Sequence, residues 1–119
     1  MNYDEIFAKL KTEWKIKLSE DEWYLSNFNE SFVSQLESFE CIDAINFLIN
    51  YILSETDIQY LDELADLFLL LARKANTTEL PEELKKNKVK IELQFSQNDY
   101  QKNIWVDIKR IFLLDVKEI

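Results

Sequence analysis

The chain has no glycine and a single proline, Pro81. Average usage would supply about eight glycines in a chain of this length. Without them, tight turns with positive φ are expected to use Asn or Asp instead. Glycine-lined backbone cradles for phosphate, the P-loop and the dinucleotide fingerprint, are excluded with it. Few breakers also means few interruptions, so the sequence favours long helices joined by short connections. At 119 residues, with 47% hydrophobic and 13% aromatic residues, one domain with a substantial core is expected.

The hydrophobic spacing supports this. Tyr3, Phe7, Leu10 and Trp14 recur at three and four, with Ile6 alongside, and predict a helix over Tyr3–Lys17. Ser19-Glu20-Asp21-Glu22 reads as a capping box starting a second helix with Trp23, Tyr24 and Phe28. Asn27–Ser31 reads as a break, followed by a helical piece carrying Phe32, Val33, Leu36 and Phe39. Glu40–Leu53 is apolar nearly all round, with a polar stripe of Asp43, Asn46 and Asn50, as in a helix packed on several sides. After a turn at Ser54–Asp57, Thr56 and Gln59 suggest a further capping box. The helix after it runs to Ala75 and buries Ile58, Leu61, Leu64, Ala65, Phe68, Leu71 and Ala72. Arg73 and Lys74 suit its C-terminal dipole, and Asn76 suits a left-handed stop. Together these two helices form an antiparallel αα-hairpin.

Pro81 at a first helical position, followed by Glu82, Glu83, Lys85 and Lys86, predicts a short helix ending at Asn87. From Lys88 to Phe95 the period changes to two: Val89, Ile91, Leu93 and Phe95 alternate with polar residues, which predicts a strand. Asn98 caps a last helix over Asp99–Lys117, although Ile104, Val106 and Ile108 also alternate as a strand would. The expected fold class is mainly α: a compact bundle of about five helices built on the central αα-hairpin, with one short strand or hairpin near 88–95, forming a single acidic domain over 1–119.

The charge is uneven. Between Lys17 and Arg73 there is no lysine, arginine or histidine, while twelve carboxylates lie in that window. The window carries −12, the flanks +3, and the chain −9. Such asymmetry points to a cationic partner. Catalytic chemistry is poorly provided for. No histidine means no Ser-His-Asp or Cys-His site. A lone cysteine, Cys41, forms neither an internal disulfide nor a zinc site, and on an apolar helix it reads as a small buried hydrophobe. No cofactor or metal is expected, and the expected protein is not an enzyme. The acidic opening Met-Asn-Tyr-Asp-Glu lacks the basic and apolar regions of a signal peptide, so a cytoplasmic location is expected.

Two groups of residues are candidates for partner binding. Asp62, Glu63 and Asp66 share a helical face. They form a solvated surface, a docking site for basic residues, or a metal or acid/base pair lacking further ligand types. Glu20-Asp21-Glu22-Trp23-Tyr24 sets acids beside large aromatics. It is either an interface for a basic protein or a dipole-favoured helix start with the aromatics in the core. Asp43 and Asp57 complete the candidate acidic surface, Asp43 either as contact or as the wet edge of the central helix.

A small, acidic, glycine-poor chain with an αα-hairpin at Ile42–Leu53 and Ile58–Ala75 resembles the helical immunity proteins of bacterial contact-dependent growth inhibition and related polymorphic-toxin systems. The resemblance covers about half the chain and implies a cytosolic protein that binds one cognate toxin and blocks its active site. Its partner would be a basic protein, with no nucleic acid and no membrane. Charge independently fits a nuclease toxin, which must be cationic to hold phosphates. Two other binding roles fit as well: a DNA mimic or anti-restriction protein, and a helical adaptor whose 88–95 segment extends a partner's sheet.

Overall fold

The computed structural model describes residues 1–114 and, among them, six helices and no strand. These are α1 (Tyr3–Glu20), α2 (Tyr24–Ser34), α3 (Ser38–Ser54), α4 (Ile58–Ala75), α5 (Glu82–Gln94) and α6 (Asp99–Ile111). The expected hairpin is present and central. α1 and α5 pack on α3, while α2 and α6 pack on α4. The six residues of α3 from Cys41 to Ile52 that face inward are all fully buried.

Asn2 caps α1 by accepting from the Glu5 amide, and Tyr3, Phe7, Leu10 and Trp14 are buried as their spacing predicts. Trp14 stacks on Tyr60 of α4, with ring centroids 4.8 Å apart. Asn76 stops α4 at φ 50°, ψ 47°, the left-handed conformation that glycine would otherwise supply. Asn98 caps α6 through the Gln101 amide. The segment of the expected last helix beyond 114, including Lys117, lies outside the described residues.

Several local expectations are overturned. Ser19 caps nothing: α1 runs on to Glu20, and the Ser19 hydroxyl donates back to Ile16 O. The expected break at Asn27–Ser31 is the middle of α2, because the Asn29 amide does not compete for its own backbone. It donates instead to Glu63 O on α4. The actual break is at Gln35–Glu37, and α3 starts at Ser38 with Glu40 reaching back to the Glu37 amide. Phe39, in that first turn, is 74% exposed rather than buried. α4 is capped by Asp57, not Thr56, and Ile58 at its first position is exposed. Pro81 sits at the N-cap of α5, one residue earlier than expected.

The strand expected at 88–95 is helix. α5 kinks at Asn87 (φ −118°, ψ 19°), where the side-chain amide donates to Glu83 O, but it continues to Gln94. Leu84, Ile91 and Phe95 face the core, while Val89 and Leu93 point to water at 77% and 74% exposure. The alternation was composed of two different helical faces. Packing on α3 selects the buried one: Gln94 donates to Ile52 O and Glu55 O at the end of α3, and the Asn46 side chain accepts from the Glu83 amide.

Candidate functional site

The carboxylates of α4 are positioned by two neighbouring helices. The Asp62 side chain faces α6, where Oδ1 accepts from Asn98 Nδ2 at 3.1 Å and Gln101 Nε2 at 2.7 Å. Asp62 therefore holds the start of α6 against α4. Asp66, one turn on, accepts from the Tyr100 hydroxyl at 2.6 Å. The Glu63 carboxylate makes no hydrogen bond among the described residues, although its backbone carbonyl accepts from Asn29. Glu63 and Asp66 line a depression of about 260 Å³ between α2 and α4, together with Ser26, Glu30, Leu69 and Arg73.

This placement shows in the protonation of the acids. Burial raises the Glu63 pKa above its ordinary value, and the charges of Asp66 and Asp62 raise it further. Burial also raises that of Asp66; the Tyr100 hydrogen bond opposes this and the Asp62 charge adds to it. The Tyr100 phenol is raised in turn, by desolvation and by Asp66. No lysine or arginine forms an ion pair with Asp62, Glu63 or Asp66 among the described residues. With Glu30 included, the depression carries three acids against the one exposed guanidinium of Arg73.

The other candidate residues lie elsewhere on the surface. Asp21, whose carboxylate accepts from the Trp23 amide, borders one between α1 and α2 with Tyr24, Phe28 and Phe32. Glu20 and Glu22 are exposed beside it. Trp23 is 63% exposed, which overturns its reading as a core residue, while Tyr24 is half-buried. Asp43 is exposed on α3. Asp57 is structural, accepting from the Tyr60 amide, and has Lys15 Nζ at 3.8 Å. Of the sequence candidates, Glu63 and Asp66 share one depression and Asp21 and Tyr24 another, while Asp62 turns towards α6. Glu30 joins Glu63 and Asp66 through α2–α4 packing, for which nothing in the local sequence gives a signal.

Comparison with known proteins returns nothing. No protein family, no curated protein and no solved structure matches the chain. The site's own chemistry is a pair of neighbouring carboxylates, Glu63 and Asp66, without an ion-pair partner among the described residues. Among the described residues no group of three or more His, Cys, Asp or Glu side chains is arranged to hold a metal ion. Cys41 is fully buried, and burial pushes its thiol pKa up against the smaller opposite pull of Lys74. A thiol so placed is a packing residue rather than a nucleophile. Among the described residues, no helix is long and apolar enough to cross a membrane.

Proposed function

We propose that this protein is a non-enzymatic binding protein that docks a basic protein partner on the carboxylates of α4 and the adjoining α2. One observation carries the reading: Glu63 and Asp66 are neighbouring, half-buried carboxylates with raised proton affinity and no ion-pair partner among the described residues. Withdrawing charge from water without a counter-charge costs stability. A lysine or arginine from a partner relieves that cost only in the complex, which favours association with cationic surfaces. The sign of the field also speeds encounter, by about 10- to 10³-fold at low salt for steered pairs.

Among basic partners, a cationic toxin of nuclease type fits best, which makes this an immunity protein. The charge of the window and the resemblance to helical immunity proteins both support that choice. The adaptor role resting on β-strand addition loses its premise, since 88–95 is helical.

The test is co-purification with the protein encoded immediately upstream, followed by association kinetics at several ionic strengths. The expected result is a tight complex whose association rate falls as salt rises. Combined substitution of Glu30, Glu63 and Asp66 by Gln, Gln and Asn should slow association about tenfold. Absence of a complex, or a rate indifferent to salt, overturns the proposal. Binding of many DNA-binding proteins in competition with duplex DNA would point instead to a DNA mimic.

A further inference from the structure

The outward face of α3 is unusual for a helix otherwise buried in the middle of a bundle. Phe39, Asp43 and Phe47 follow one another at intervals of four and share one exposed strip, with the two phenylalanines about 12 Å apart along the axis. Phe39 is 74% exposed and Phe47 42% exposed. A phenylalanine left in water forgoes much of its contribution to folding, and exposed aromatics grouped on one element mark interaction surfaces. Beside the strip lies a depression of about 410 Å³ between the start of α3 and the α4–α5 connection, bordered by Phe39, Ile42, Asp43, Ala75, Thr77 and Glu79.

The charged residues that line the depression have one sign. Asp43 and Glu79 are the only charged residues lining the depression, and Glu37 and Glu40 lie in and just before the first turn of α3. None of these four acids is ion-paired among the described residues. The Tyr3 ring lies 5.8 Å from that of Phe47, and its hydroxyl approaches Glu40 O. Burial raises the Tyr3 pKa, and the charges of Glu40 and then Asp43 raise it further, so both carboxylates act on the same spot. An acidic rim repels acidic peptides, nucleic acids and anionic lipids. An aromatic face one helical turn from a carboxylate matches the planar guanidinium, which stacks on rings and bonds carboxylates with two N–H groups at once. An ammonium also approaches rings and carboxylates, but as a strongly hydrated point charge with no planar face to stack, so the guanidinium is the better match.

We propose that the outward strip of α3 is a docking surface for an arginine-bearing segment of a protein partner, with Phe39 and Phe47 as aromatic platforms and Asp43 as the guanidinium acceptor. It adds a contact distinct from the Glu63–Asp66 cleft and does not require that cleft to function.

Isotope-labelled protein is titrated with a helical peptide carrying arginines three and four apart, and separately with its lysine counterpart, while amide shifts are followed. The expected result is perturbation centred on Phe39–Phe47 and Glu79, with about tenfold tighter binding of the arginine peptide. Phe39→Ala and Asp43→Asn should each weaken it about tenfold, and Phe39→Leu should keep the fold while losing the arginine preference. No perturbation, or equal response to lysine, overturns the proposal. Shifts confined to Glu63 and Asp66 overturn it and leave the cleft reading standing. A dimer in sedimentation that Phe39→Ala dissolves also overturns it, because the strip would then be covered by a second copy.

Discussion

Lys11 Nζ of α1 lies 2.7 Å from Glu55 Oε1 at the end of α3, and the Glu55 side chain is 2% exposed. Glu55 is the most buried acid of the base-free window, and it is the one joined most closely to a cation from outside it. Its other oxygen accepts from the amides of Thr56 and Asp57, so the carboxylate organises the turn between α3 and α4. The Lys11 side chain is 47% exposed, which tempers its value. Lys11→Met leaves a buried carboxylate with backbone donors alone and should cost about 2–3 kcal/mol in urea unfolding. A loss near zero would show that the turn amides suffice.

The helical nature of α5 is testable by pairs of substitutions. In a strand, Val89 and Ile91 would share a face and respond alike. In the observed helix Ile91 is fully buried and Val89 is 77% exposed. Ile91→Ala should cost about 2–4 kcal/mol, and Val89→Ala within about 0.5 kcal/mol of nothing. Equal losses would refute the observed register.

Asn76 supplies a conformation for which the chain has no glycine. Its φ of 50° is reached by few side chains without steric cost. Asn76→Gly should be neutral or slightly stabilising, and Asn76→Ala should cost about 1 kcal/mol, read as a shift in thermal midpoint.

How far the sequence carried the fold depended on whether a local signal agreed with long-range packing. α1, α3, α4 and α6 were readable because their apolar spacing follows the helical period and because Asn76 and Asn98 have one sterically sensible use each. α5 was misread because Val89 and Leu93 lie on its wet side. Their alternation with Ile91 and Phe95 imitates a strand unless the contact with α3 is known. Asn29 looked like a breaker because its partner, Glu63 O, is 34 residues away. The same limit applies to the candidate site. Asp62, Glu63 and Asp66 were visible as a helical cluster, but the approach of Glu30 and the burial of Glu63 come from α2 packing on α4. The aromatic strip of α3 is not legible locally, because Phe39 follows Phe32, Val33 and Leu36 at helical spacing although the chain breaks between them.

The acid pair on α4 gives stability a pH dependence whose sign is fixed. Glu63 and Asp66 have pKa values raised in the folded protein, so the folded state holds protons that the unfolded state has released. Where the folded state binds more protons, stability falls as pH rises. The penalty is therefore absent below the ordinary carboxylate values of 4.5 and 3.8, grows as pH climbs through the raised folded values, and is complete at neutral pH. Glu63→Gln should remove part of it, stabilising the free protein by a few tenths of a kcal/mol at pH 7, about the worth of one like-charge helical contact. It should have almost no effect at low pH, where Glu63 is already neutral. Chemical unfolding of the two proteins across the acid range reads this directly as curves that converge on acidification. Curves that stay parallel, or a variant less stable at pH 7, would show that Glu63 is compensated within the chain and is not held ready for a cation from a partner.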